Sequence, residues 1–154
     1  MDHIDKKAFV FGSIFTLANR LQILGDKFDP NLTIKQWLLL AGIAESIKST
    51  PSLSEVAELI GNSRQNVKKM ALILEREGFI QLKKDSEDAR ILHLELTEKC
   101  KEYFINREKR ETEFLEQVYQ GFDADLLDGL YAGLLKMEDN IKGMEQINEN
   151  EEKE

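Results

Sequence analysis

A chain of 154 residues with a formal net charge of −8 is about one domain long. That is enough to bury a core, although an elongated helical arrangement would need a partner to cover its apolar stripes. No unbroken run of eighteen apolar residues and no cleavable-looking leader occur, which predicts a soluble cytoplasmic protein with no membrane partner. The single cysteine, Cys100, excludes an internal disulfide and fits a reducing compartment.

The first predicted element is a long helix over residues 4–24, where Phe11, Ile14, Phe15, Ala18 and Leu21 recur at helical spacing. Thr33, Ile34, Lys35 and Gln36 then form a capping box, in which threonine and glutamine side chains take each other's backbone N–H. It opens a second helix through Trp37, Leu38 and Leu40 toward Ser46. Ser52, Leu53, Ser54 and Glu55 form another such box directly after Pro51.

The stretch LSEVAELIGNSRQNVKKMAL, residues 53–72, reads as a helix-turn-helix. Ala57 supplies the small side chain where the second helix crosses the first. Gly61 stands at the sharp turn, where positive φ is favoured. Val67 then plants an apolar residue of the second helix against the first, and Val56, Ile60 and Met70 close a small core. Ser63 is placed to cap the second helix and Gly78 to end it.

After Gly78 the apolar period changes from helical to two. FIQLKK and ILHLEL are alternating runs separated by the polar DSEDAR, with Leu92, Leu94 and Leu96 on one face and His93 and Glu95 on the other. A β-hairpin directly behind a recognition helix is the wing of a winged helix. Thr97 caps a long helix reaching about residue 121, and Asp123 caps another reaching about residue 142. In the last helix Leu127, Leu130, Leu134, Met137, Ile141 and Met144 fall at intervals of three and four, a heptad seam. Such a stripe must be covered, either by packing within the chain or by a second chain. Residues 146–154 are acidic and are expected to fray.

Arg64, Gln65, Asn66, Lys68 and Lys69 are left outward on the second helix of the motif. Arginine can grip guanine bidentately and carboxamides can grip adenine, each good pair being worth about 1–3 kcal/mol of discrimination. Lys68 and Lys69 suit phosphates, because a flexible ammonium places charge well but reads geometry poorly. The overall acidity does not oppose this. Residues 1–50 carry six cations and five anions, residues 51–97 seven and eight, and residues 98–154 eight and sixteen. The excess therefore lies in the C-terminal third, and screening confines exposed charges to about 10 Å at ordinary salt. A negative total points to weak non-specific affinity for DNA.

Long helix, short helix, helix-turn-helix, wing and two long helices is an order similar to that of the MarR family of bacterial transcription regulators. The resemblance runs from about residue 4 to residue 141. It is carried most specifically by LTIKQWLLL (32–40), SRQNVKKMALILEREGFI (63–80), DSEDAR (85–90) and LTEKCKEYF (96–104). It implies a mainly α fold: a winged helix-turn-helix with long N- and C-terminal dimerisation helices and a two-stranded β-hairpin wing. Residues 1–30 and 98–145 would be the dimerisation helices, 33–97 the DNA-binding lobe and 146–154 a tail. The implied protein is a homodimer whose two lobes read successive major grooves of a near-palindromic operator on double-stranded DNA, most simply as a repressor.

The resemblance also assigns the wing. Asp85, Asp88 and Arg90 match the family's pattern, whereas Glu87 stands where a basic residue is common. Arg90 is thereby expected in the minor groove with Asp88 holding its guanidinium; the alternative is an ordinary hairpin salt bridge. Lys83 and Lys84 would support backbone contact, opposed by Asp85, Glu87 and Asp88. With Ser63 these complete the expected DNA-contacting set. Members of the family are often released from DNA by a small molecule, and Phe11, Phe15, Trp37, Tyr103 and Phe104 could line a pocket for one; the alternative is core packing.

Other chemistry is thinly supplied. Cys100 stands where the family often has glycine and reads as a small buried or half-buried residue; the adjoining Lys99 and Lys101 point to other helical faces. His3 and His93 are too few and too far apart for a metal site, and His93 reads as a wing-strand surface residue. No phosphate loop, nucleophile elbow or paired catalytic carboxylate is present, so neither an enzyme nor a cofactor is expected. The rival class is a winged-helix protein-interaction module that has lost DNA binding, which the acidic surface and Glu87 would favour.

Overall fold

The structure is a computed structural model that describes residues 2–151. Its elements are α1 (His3–Phe28), α2 (Ile34–Glu45), α3 (Leu53–Leu59), α4 (Arg64–Arg76), β1 (Ile80–Lys84), β2 (Leu92–Leu96), α5 (Glu98–Val118) and α6 (Ala124–Glu151). The mainly α winged helix-turn-helix expected from the sequence is present. Both capping boxes form: the Thr33 hydroxyl accepts from the Gln36 N–H at 3.2 Å while the Gln36 side chain accepts from the Thr33 N–H at 2.9 Å. Ser52 and Glu55 make the same exchange at 3.2 and 2.8 Å. Two of the N–H groups orphaned at each helix start are satisfied this way.

The lobe core is built from the residues that the periodicity singled out. Leu39, Leu40 and Ile43 of α2, Val56 and Ala57 of α3, Val67, Ala71 and Leu74 of α4, and Ile80 and Leu94 of the hairpin are buried together. Ile60 and Met70 close its rim half-buried. Gly61 adopts φ +65°, the conformation that the turn between α3 and α4 demands. Gly61→Ala is expected to lower unfolding free energy by about 1–2 kcal/mol, the left-handed penalty of an L side chain, as measured by urea denaturation. Gly42 is constrained differently: a Cβ there would lie 2.8 Å from Cγ2 of Ile60, so α2 and α3 approach only because the position is bare.

β1 and β2 pair antiparallel with Ile80 opposite Leu96 and Lys84 opposite Leu92. The base of the hairpin is also tied to the chain ahead of α3. The Leu94 N–H donates to the Pro51 carbonyl at 2.9 Å, and Ser52 and His93 form an isolated antiparallel bridge. Thr97 and Asp123 cap the long helices as expected, accepting from the N–H groups of Cys100 and Leu126 at 3.2 and 2.8 Å.

The chain divides into one compact unit up to Asn106 and a second from Arg107, a division that falls inside α5. The reason is packing: Cys100 is part of the lobe core, and Tyr103 and Phe104 pack against it. The acidic tail, expected to fray from residue 146, continues α6 as far as Glu151. No glycine or proline follows Gly143, glutamate and glutamine favour the helix, and exposed like charges cost little by comparison. Residues 152–154 of that expected tail lie outside the described residues.

Both terminal helices present uncovered apolar side chains. In α1, Phe9, Phe11, Phe15 and Ile23 are exposed and only Gly25 is buried. By length and composition α1 could also cross a membrane, since an 18-residue window has mean hydropathy 1.3. The lack of an unbroken apolar run hid this, because Ser13, Thr16, Asn19, Arg20 and Gln22 interrupt the run while the surrounding Phe, Val, Ile and Leu residues keep its mean hydropathy high. In α6 the seam residues Leu127, Leu130, Leu134, Ile141 and Met144 are exposed and Met137 is half-buried.

Candidate nucleic-acid interface

α4 owes its direction to Ser63, whose hydroxyl accepts from the Asn66 N–H at 3.2 Å. The Asn62 side chain accepts from the Ser63 N–H at 2.8 Å and from Nδ2 of Asn66 at 3.3 Å. Asn66 therefore gives one amide proton to the turn and keeps its oxygen and second proton for an outside partner. Val67 and Ala71 turn inward and are fully buried, which fixes the opposite face outward. On that face Arg64, Gln65, Asn66, Lys68 and Lys69 are all exposed. Among the described residues no ion pair engages Arg64, Lys68 or Lys69.

The wing is organised by two aspartates. Oδ2 of Asp85 accepts from the N–H groups of Glu87 and Asp88 at 3.0 and 3.1 Å, folding the tip. Asp88 in turn accepts Nε and Nη2 of Arg90 at 2.9 and 2.8 Å, and the Arg90 N–H at 3.0 Å. This fork holds the Asp88 carboxyl below its ordinary range, chiefly through the Arg90 side chain, and raises the guanidinium further above its own. The Arg90 side chain is nonetheless 91% exposed, so an oriented cation is presented to solvent.

Arg90 and α4 meet. A recess of about 280 Å³ is lined by Arg64, Gln65 and Lys68 of the helix, by Arg90 and Leu92 of the hairpin, and by Leu53. Three cations and a carboxamide thus border one concavity. The remaining wing lysines divide. Lys83 is paired with Glu95 across the hairpin, which offsets its charge, whereas Lys84 is exposed. Glu87 is also exposed, at the tip.

The five aromatic residues expected to share a pocket do not gather into one set. Phe11 and Phe15 pair edge-to-face on α1 with centroids 5.2 Å apart and stay exposed. Trp37, Tyr103 and Phe104 pack on the lobe core. Tyr103 also borders a recess of about 520 Å³ with Pro30, Asn31, Glu77, Phe79 and Lys99. Its hydroxyl donates to the buried Asp29 carboxylate at 2.6 Å, a tie that no sequence spacing announces because 74 positions separate the two residues. Cys100 is fully buried, and desolvation pushes its thiol up to about 11. Its neighbours do not oppose this: the Lys99 ammonium donates to the Glu77 carbonyl at 2.5 Å, and Lys101 pairs with Glu98. The thiol therefore stays protonated and unreactive at neutral pH.

His93 is the residue that sequence reasoning misplaced. It is half-buried, with Nε2 2.7 Å from Oδ1 of Asp85 and Nδ1 3.0 Å from the Thr50 carbonyl oxygen. The Asp85 hydrogen bond, then the Thr50 one, raises its basicity above the ordinary histidine value. Asp85 is held low, first by His93 and then by the Glu87 and Asp88 N–H groups.

No protein-family model matches the chain. In sequence it is similar to the transcriptional repressor MprA of Escherichia coli, with 30% identity over 115 residues, 73% of this chain. That match spans 65% of the repressor's length. In structure it is similar to a MarR/EmrR-family transcriptional regulator from Acinetobacter sp. ADP1, with a TM-score of 0.76 over 92% of this chain and 99% of that one at 21% identity. BpsR of Bordetella bronchiseptica, whose DNA binding is regulated by 6-hydroxynicotinic acid, superposes with a TM-score of 0.72 over 84% of this chain and 93% of its own at 17% identity. These relatives are transcription regulators, a non-enzyme class. The chain thus shares its fold over nearly its whole length with winged helix-turn-helix regulators of the MarR family, and 115 of its residues are similar in sequence to a bacterial repressor.

Proposed function

We propose that this chain is a cytoplasmic, sequence-specific DNA-binding regulator, acting as a homodimer on a near-palindromic operator and most simply as a repressor. The observation that carries the reading is the recess shared by Arg64, Gln65, Lys68 and Arg90, where cations of the helix and the wing face solvent together. In the proposed complex the start of α4 enters the major groove, Arg64, Gln65 and Asn66 meet base edges, and Ser63, Lys68, Lys69 and Lys84 meet phosphates. Arg90, oriented by Asp88, enters the adjoining minor groove, where negative potential is concentrated. Lys83 contributes less, being paired with Glu95. The uncovered apolar faces of α1 and α6 support a second copy as partner.

Selection of bound sequences from random duplexes, followed by affinity measurement against salt, tests this. A two-fold-symmetric site is expected, with log affinity falling by about 0.9 per phosphate contact for each unit of log salt. Absence of binding to any duplex at low salt would favour a protein-interaction module. We propose further that a small-molecule effector sets the affinity, as 6-hydroxynicotinic acid does for BpsR. The recess beside Lys99, Phe79 and Tyr103 can offer such a ligand an ammonium and two aromatic rings. Repeating the affinity titration with small aromatic acids checks it; unchanged affinity despite demonstrated binding would sink the effector reading.

A further inference from the structure

The hydrogen bonds around His93 form a continuous chain from the connection between α2 and α3 to the exposed guanidinium of the wing. The Thr50 carbonyl meets Nδ1, Nε2 meets Oδ1 of Asp85, Oδ2 of Asp85 accepts from the Asp88 N–H, and the Asp88 carboxylate grips Arg90. A carbonyl oxygen can only accept, and an ionised carboxylate can only accept. Both ring nitrogens of His93 must therefore donate, and a neutral imidazole, with a single N–H, would leave a lone pair facing one of the two oxygens.

We propose that His93 is a positioning residue that sets the wing, and Arg90 with it, by clasping Thr50 and Asp85 together as an imidazolium, a role that rests on the DNA-reading function above. Other charged groups lie near the ring. Lys83 stands directly opposite it on β1 and pairs with Glu95 of β2, while Glu55 of α3 adds negative potential and is itself tied to Lys48. The sign of the pH dependence follows from the two shifted groups. The clasp's contribution is complete below the ordinary histidine value of 6.5 and is lost as pH rises through the higher folded value. On the acid side Asp85 contributes above its ordinary 3.8, and that share is lost as pH falls through its lower folded value. The wing is held firmest between those limits.

Three measurements decide the matter on the full chain. Long-range proton–nitrogen spectra of the imidazole should show both ring nitrogens of His93 protonated at pH 7. Hydrogen-exchange protection of the Asp88 and Ile91 amides, and affinity for the selected duplex, should each fall about fivefold between about pH 6 and about pH 9, the loss expected for one hydrogen bond. His93→Gln should remove the pH dependence and hold both readouts at the weak alkaline level. Asp85→Asn should remove it at the strong level, since a side-chain amide can donate to Nε2 of a neutral ring whose Nδ1–H serves Thr50, while its oxygen still takes the Glu87 and Asp88 N–H groups. A neutral His93 at pH 7, or the same pH profile in His93→Gln as in the unaltered chain, would overturn the clasp. So would a doubly protonated ring with wing protection flat in pH. If no duplex binds, the regulator reading falls, and the spectra and amide protection still decide the clasp.

Discussion

Arg64→Ala is expected to cut the preference for the selected operator over a scrambled duplex by about 10–100-fold per half-site, the 1–3 kcal/mol carried by one bidentate contact to a base edge. Arg64 is the first residue of α4 and is exposed beside Gln65 and Arg90 at the same recess. Alanine is a good helix residue and the side chain covers no core, so stability should stay within about 0.5 kcal/mol. In a symmetric dimer the loss applies at both half-sites, which makes this one of the largest effects any exposed residue of the lobe can produce. Lys69→Ala is the contrast. An ammonium on a flexible stem reads charge and not geometry, so operator and scrambled duplex should weaken alike, and the salt slope should fall by about 1 for each phosphate that goes unneutralised. Fluorescence anisotropy on both duplexes at several salt concentrations separates the two. Equal weakening on both duplexes from Arg64→Ala would remove it from base readout.

Most of the lobe was legible because its signals are local. A capping box needs residues three apart, the α3–α4 turn needs one glycine at positive φ, and the hairpin needs alternating apolar residues around a polar tip. Thr33 with Gln36, Gly61, and Leu92, Leu94 and Leu96 satisfied those needs within short windows. The contacts that no local signal announces join distant residues. Tyr103 to Asp29, His93 to Thr50, and Gly42 under Ile60 depend on how elements cross, which composition and period do not encode. The same limit explains the candidate sites. Arg64, Gln65, Lys68 and Arg90 each carry a signal of their own, but only the fold brings helix and wing to one recess. Phe11 and Trp37, alike as aromatic candidates, stand apart in character: one is exposed on α1 and the other packs on the lobe core.

The substitution with the greatest expected reach lies far from the recess in sequence. Leu130→Glu combined with Leu134→Glu is expected to convert a dimer into a monomer and to lower operator affinity by about 10³ or more, because a lone lobe keeps only half of the base and phosphate contacts. In the single chain these leucines are 40% and 50% exposed on α6, so the folded monomer offers glutamate an aqueous site and a residue type that favours helix. The situation reverses if a second copy covers the seam. Each carboxylate must then be desolvated without a partner, which costs several kcal/mol apiece, and the symmetric interface meets each substitution twice. The double variant thus distinguishes the two ways of covering the seam. Packing within one chain would make it unstable, whereas packing between chains leaves circular dichroism unchanged and halves the mass in sedimentation equilibrium. A double variant that remained dimeric, or an unaltered chain that sedimented as a monomer, would take the seam out of the dimer and leave α6 exposed for some other reason. If the mass halves and operator affinity collapses with it, the acidic C-terminal third acts by pairing two lobes, with no need to approach DNA itself.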